Sequence, residues 1–186
     1  MTATGSSGDL EKARRFRETA LPHLDEVYTL ARYLLRDTAD AEDAAHECYV
    51  RALRHFESFR GPAIKPWLFA ILRNICRGEF ARRSGSPVSM GAGIEDDADA
   101  APLWQEELAS PEAQLLHQRD AETIRRLLAD LPAPFREAIV LREVNDLSYR
   151  EIADVVGAPV GTVMSRLARA RSLLRKAWIA EEGQTK

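Results

Sequence analysis

Cysteine is almost missing from this 186-residue chain: Cys48 and Cys76 are the only two, and they form no C-x-x-C pair. That excludes a disulfide framework and a four-ligand zinc finger. No apolar run approaches the roughly 20 residues that a membrane helix needs. The opening stretch MTATGSSGDLEKARR lacks the apolar core of a secretory signal, so a reducing cytoplasm is the expected compartment. A Gly-rich phosphate loop, a metal-ligand cluster and a nucleophile motif are missing as well, so neither catalysis nor a metal or cofactor is expected. Strand-like alternation is also missing. What remains is 45% hydrophobic and 30% charged residues, enough to bury a core, in patterns that read as all-α.

The net charge of −3 hides an uneven distribution. Residues 1–83 carry 14 basic against 12 acidic side chains, and residues 113–186 carry 12 against 10. Residues 84–112 carry 7 acidic side chains and no basic one. Within 159–178 the pattern reverses: Arg166, Arg169, Arg171, Arg175 and Lys176 occur without a single acid. A polyanion responds to such a local stripe, not to the total.

The stretch SGSPVSMGAGIEDDADAAP (84–102) has no helical or strand period. Its composition buries too little apolar surface to offset the entropy of ordering it, and it is longer than loops inside compact domains. We therefore expect two small helical domains, 10–83 and 112–180, joined by a flexible acidic linker over 84–111.

Apolar residues elsewhere recur at three- and four-residue steps. Leu24, Val27, Tyr28, Ala31, Leu34 and Leu35 form one stripe, and Ala45, Cys48, Tyr49, Ala52, Leu53 and Phe56 another. Asp40 is the expected N-cap of the second helix, with Glu42 and Asp43 in its first turn. A third helix is expected from Pro66, a residue suited to a first turn, through Trp67, Leu68, Ile71, Leu72, Ile75 and Cys76. Trp67 falls on that apolar stripe, which favours a core role. Ser58–Lys65, punctuated by Gly61 and Pro62, is the turn before it. His46 and Cys48 are two apart and point roughly 200° away from each other on a helix, so they cannot chelate one ion. Both cysteines fall on apolar stripes, where a free thiol packs as a small hydrophobe.

The second domain is more specific. Helices are expected over about 112–130 and 134–143, the second carrying Phe135, Ala138, Ile139 and Leu141. Ser148 and Glu151 are spaced as a capping box, flanked by Leu147 and Ile152 at hydrophobic-staple positions. The short helix they open ends at Val156, and Gly157 can supply a left-handed C′ residue. From Pro159 a longer helix follows to about Trp178. Its residues Val163, Leu167, Ala170 and Leu174 share an apolar edge, while Thr162, Ser165, Arg166 and Arg169 share a polar one. Two helices joined by a tight turn, the second basic, make a helix-turn-helix whose second helix can read DNA.

The run Pro159-Val160-Gly161-Thr162-Val163-Met164-Ser165-Arg166-Leu167-Ala168-Arg169, preceded by Leu147-Ser148-Tyr149-Arg150-Glu151-Ile152, resembles region 4 of bacterial sigma factors of the extracytoplasmic-function group. Asp40-Ala41-Glu42-Asp43-Ala44-Ala45-His46-Glu47, followed by Tyr49-Val50-Arg51-Ala52-Leu53, is similar to that group's region 2.2. Phe59-Arg60-Gly61 and Pro66-Trp67-Leu68-Phe69-Ala70-Ile71-Leu72-Arg73-Asn74 resemble regions 2.3 and 2.4. The likeness covers nearly the whole chain in the right order.

The resemblance implies a division of labour. Asp43, His46, Glu47, Val50, Arg51 and Arg54 would dock on the β′ clamp helices of core RNA polymerase, with the β flap a further contact. Arg60, Lys65, Phe69, Arg73, Asn74 and Arg77 would hold the −10 element, Asn74 as a base reader. Arg150, Pro159, Thr162, Ser165, Arg166 and Arg169 would read the −35 element of promoter DNA. The linker would thread towards the RNA exit channel, and an anti-sigma factor would hold the chain inactive as a 1:1 complex. Two other readings stay open on the residues alone: a stand-alone helix-turn-helix regulator with a sensory first domain, and a protein that only sequesters a partner.

Met164 stands where the group often has Arg or Lys, so its −35 readout should lean on apolar and shape terms. Selection from a random DNA pool should yield a different −35 preference for Met164→Arg than for the parent chain. Identical selected sequences would refute this.

Overall fold

The computed structural model describes residues 4–84 and 122–184. The linker reading, apart from Ser84, and the 112–121 portion of the expected fourth helix lie outside the described residues. Among the described residues every regular element is helical, as expected for an all-α chain.

Helix α1 spans Thr4–Ala20, α2 Leu24–Leu35, α3 Thr38–His55 and α4 Ile64–Ser84. Most of each apolar stripe is buried on α2, α3 and α4: Val27, Ala31, Cys48, Ala52, Leu68 and Leu72 are nearly or wholly inaccessible, and Leu30 and Ala41 join them. Leu24, the first residue of α2, and Leu53, near the end of α3, are exposed, contrary to their place on the stripes. Two helix starts differ from expectation. Asp37, not Asp40, caps α3: its backbone is extended, and its Oδ1 accepts from the Asp40 N–H at 3.0 Å. Helix α4 starts at Ile64, two residues before Pro66. The missing N–H of Pro66 still falls among the first four amides, which have no partner within a helix. Helix α1 showed no clear stripe in the sequence. Phe16 anchors it, meeting Phe56 edge-on at 5.2 Å and Tyr49 at 6.1 Å, while the Tyr49 hydroxyl donates to the Ala20 carbonyl.

The second module contains α5 (122–130), α6 (Ala133–Ile139), α7 (Tyr149–Val156) and α8 (Val160–Gln184). The expected 134–143 helix is two pieces. After Ile139 the chain widens into a π turn over Val140–Val144, and the Asn145 N–H reaches the Val140 carbonyl at 3.2 Å. Asn145 is buried, and its side-chain amide donates to that same carbonyl, so the carbonyl holds two donors. The capping box of α7 forms as read: the Glu151 N–H donates to Ser148 Oγ, and the Ser148 N–H donates to Glu151 Oε2 at 2.8 Å. The Ser148 hydroxyl, donating to Glu151 Oε2 at 2.7 Å, and then the Ser148 N–H hold the Glu151 carboxyl below the usual glutamate range. Leu147 and Ile152 are both buried, and Gly157 closes the helix at φ 62°. Helix α8 runs past Trp178 to Gln184.

Burial does not stop at the module boundary. Helix α7 packs on α4 and α6 on α2, and the buried apolar residues of both modules form one continuous cluster. Cys48 and Cys76 lie within it, and burial pushes both thiols up to about 12. They are core hydrophobes, as expected.

Ser148→Ala removes the cap, and Gly157→Ala forces a Cβ into the left-handed region. Each should lower unfolding free energy by about 1 kcal/mol, read as a shifted urea midpoint. An unchanged midpoint for both would refute this account of the α7 boundaries.

Candidate nucleic-acid interface

Helix α8 has two unlike edges. Val163, Leu167 and Ala170 are buried against α6 and α7, and that orientation decides what is left outside. Pro159, Arg169 and, from α7, Arg150 are exposed; Thr162, Ser165 and Arg166 are half-buried on the same polar edge. Ser165 Oγ donates to the Thr162 carbonyl at 3.1 Å, so its hydroxyl oxygen is left as an acceptor. Met164 stands clear of the body. Thr162, Ser165, Arg166 and Arg169 therefore share one accessible edge of α8, with Pro159 just before it, while Arg150 is exposed on α7. The basic run is not uniform, however. Arg171 ties α8 to the π turn through Glu143 at 2.7 Å, and Arg142 stacks over the Tyr149 ring at 5.3 Å. These cations brace the helix-turn-helix.

In the first module the −10 candidates separate into two groups. Arg60, Asn74 and, partly, Arg77 reach the surface. Arg60 also closes the 59–63 loop by donating to the carbonyls of Glu57 and Phe59. The other three do not face solvent freely. Phe69 has no accessible surface at all, contrary to its expected place at the DNA: it falls on the same buried edge of α4 as Leu68 and Leu72. Lys65 sits over the Phe69 ring and gives its ammonium to Glu26 at 2.5 Å. Burial alone would push the Glu26 carboxyl up, but Lys65 and His23 outweigh it and hold it below its ordinary value. Arg73 is buried too, contrary to a free phosphate contact, and pairs with Glu137 of α6 at 2.6 Å.

One aromatic feature does not follow from the helical stripes. Phe59 and Trp67 form a half-exposed pair with ring centroids 5.1 Å apart, at the loop preceding α4. A Cβ on Gly61 would lie 2.9 Å from the Phe59 ring, so glycine is what lets that ring lie against the loop. Trp67 thus packs on the core yet keeps an edge outside. The loop composition, with Phe59 next to Arg60-Gly61-Pro62, was the available signal. Unstacked bases favour such aromatic walls.

The α3 candidates lie on its outer side. Asp43, His46, Arg51 and Arg54 are exposed, Glu47 and Val50 half so, and Arg51 bonds Glu47 at 2.6 Å. His46 and Cys48 occupy opposite sides of the helix, one exposed and one buried. An apolar cavity of about 490 Å³ lies between α2 and the second module, walled by Tyr33, Leu128, Ile139, Leu174 and Trp178; none of the residues expected to touch DNA or polymerase lines it.

A helical chain with a basic reading helix on one module and an aromatic, basic loop on the other defines a two-part DNA-binding factor. Comparison with known proteins sharpens that class. Residues 20–85 match the family model described as Sigma-70 region 2, and residues 121–174 match Sigma-70, region 4. The chain is 32% identical over 169 residues to the RNA polymerase sigma-H factor of Pseudomonas aeruginosa, covering 88% of this chain and 86% of that one. It is 34% identical over 139 residues to the ECF RNA polymerase sigma-E factor of Escherichia coli, covering 74% and 73%. Among solved structures it is similar to the sigma factor RpoE of Bartonella quintana, in complex with the anti-sigma factor NepR, with a TM-score of 0.67 at 29% identity over 89% of this chain and 97% of that one. The chain belongs to the extracytoplasmic-function group of the sigma-70 family, transcription-initiation factors.

Burial separates core from contact among the −10 candidates. Phe69→Ala should lower stability by about 3–5 kcal/mol in urea unfolding, as for a buried ring. Asn74→Ala should change stability by less than about 0.5 kcal/mol while weakening binding of a −10 oligonucleotide. The reverse pattern would overturn the assignment.

Proposed function

We propose that this chain carries core RNA polymerase to promoters bearing both elements, and that the polymerase performs all the chemistry. The polar edge of α8 carries this reading. It offers Arg166 and Arg169 for guanine or phosphate, and Thr162 and Ser165 for bases or backbone, with Arg150 alongside. The first module works on the −10 element: Phe59 and Trp67 wall a captured base, Asn74 reads it, and Arg60 and Arg77 hold phosphates. Opening a duplex costs a few kcal/mol per unstacked base, which stacking on aromatic rings offsets. The outer side of α3, from Asp43 to Arg54, docks on polymerase. Residues 10–83 and 112–180 are the two working units, and the acidic linker 84–111 lets them reach separate stretches of DNA.

As a partner of RNA polymerase the chain works in the cytoplasm; among the described residues no helix is long and apolar enough to cross a membrane. Control by an anti-sigma factor is supported by the similar Bartonella quintana sigma factor, solved with one bound.

Run-off transcription with purified core polymerase on fragments of the cognate genome tests this function. Defined transcripts should appear only when the chain is added. Arg166→Ala should lower output by about five- to 150-fold, for loss of a contact of roughly 1–3 kcal/mol. A chain that binds a palindromic duplex tightly without polymerase, and directs no transcript, would instead be a stand-alone regulator.

A further inference from the structure

Tyr33, on α2, is a common wall of two cavities of opposite character. One is the apolar chamber of about 490 Å³, lined by Ile124, Leu127 and Leu128 of α5 together with Ile139, Leu174 and Trp178. The other is a cleft of about 300 Å³ that carries Arg32 and Arg36 from α2 and Arg125 from α5, with Tyr28 beside them. Helix α5 serves both: Ile124 and Leu128 line the chamber, Arg125 and Ala129 the cleft. We propose that the pair forms a binding site for one fatty acid, its alkyl tail in the chamber and its carboxylate held by Arg32, Arg36 and Arg125. The site shares no residue with those assigned to DNA or polymerase, so the proposal goes beyond the sigma-factor reading and does not depend on it.

Charge decides the head group. Neighbouring arginines are matched by acids: Arg126 pairs with Glu181 at 2.7 Å, and Arg171, in the chamber wall, pairs with Glu143 at 2.7 Å. Arg32, Arg36 and Arg125 have no carboxylate partner among the described residues; Arg32 donates only to the Tyr28 hydroxyl, at 3.4 Å. Arg36 holds the left-handed position that ends α2, φ 66°, where glycine costs less. Arg136 adds to the excess of positive charge. It is buried with its Nε unpartnered, and burial first, then the charge of Arg36, hold its guanidinium below the ordinary arginine range. A planar carboxylate meets such guanidinium forks through paired, charge-assisted hydrogen bonds.

Surface decides the tail. Apart from the paired Glu143 and Arg171 and the exposed Arg175, the chamber wall is aliphatic and aromatic. Its volume falls within the roughly 300–1,000 Å³ of small-molecule sites, which combine an apolar lining with a few placed polar groups. An alkyl chain entering it leaves water and gains the free energy of apolar burial. A short carboxylic acid lacks that gain, and an alkyl alcohol leaves the three arginines unmatched. The site therefore selects a molecule with both parts.

Isothermal titration calorimetry of the full chain with decanoate, decanol, butanoate and decyl phosphate tests the site. Decanoate should bind one per chain and raise the thermal unfolding midpoint. It should bind about tenfold or more tighter than decanol or butanoate. Arg36→Gly combined with Arg125→Gln should weaken decanoate about tenfold or more, for lost charged hydrogen bonds, and leave decanol unchanged. Both positions are exposed, so the core of the double variant is untouched. Arg126→Gln, which breaks only the neighbouring pair with Glu181, should change neither ligand. No binding of decanoate, several molecules per chain, equal binding of decanoate and decanol, or an unchanged affinity in the double variant would overturn the site. Decyl phosphate binding about tenfold or more tighter than decanoate would overturn the carboxylate and give the cleft to a phosphate head. Decanoate binding that appears only after Leu103→Ser and Trp104→Ser would give the chamber to the chain's own segment and overturn the ligand.

Discussion

Burial of Val163, Leu167 and Ala170 against α6 and α7 is the constraint on which the reading surface depends. An α-helix has one azimuth once its apolar edge is seated, so packing that edge leaves Thr162, Ser165, Arg166 and Arg169 facing outward together. The seat itself is prepared by local chemistry. The Ser148–Glu151 box fixes where α7 starts, Gly157 at φ 62° fixes where it stops, and the chain re-enters a helix at Val160. Register errors at either end would rotate the polar edge out of that alignment.

Charge is arranged by position rather than by amount. A chain with a net charge of −3 still presents an acid-free basic run at 159–178, because its surplus acid is concentrated in 84–112. Within the basic run the arginines divide by azimuth. Arg166 and Arg169 lie on the polar edge, whereas Arg171 turns inward to Glu143 and braces the π turn. The same division holds in the first module. Arg60 and Arg77 reach the surface; Lys65 and Arg73 are held by Glu26 and Glu137. Counting basic residues therefore overstates the cations free for phosphate, and only their partners reveal the difference.

The two modules share one buried apolar cluster in this arrangement. That joint surface follows from their amphipathic faces: α2 and α4 have apolar residues left over after packing on α3, and α6 and α7 present matching ones.

Periodicity and capping chemistry made much of the architecture legible in the sequence. The α2, α3 and α4 stripes, the capping box, the glycine stop and the two-edged α8 are local patterns whose causes lie within one or two turns of chain. Helix α1 was not legible, since its anchor is a single ring, Phe16, meeting Tyr49 on α3 and Phe56 just after it. Nor was the π turn, whose extra residue is stabilised by Asn145 folding back on Val140. The helix-turn-helix and its polar edge were determined by sequence alone, because spacing along a helix sets which side chains share a face. That Phe69 is interior and Arg73 is claimed by Glu137 was decided only in three dimensions. Residue type and spacing give a side chain its direction, but its partner comes from a helix some 64 residues away.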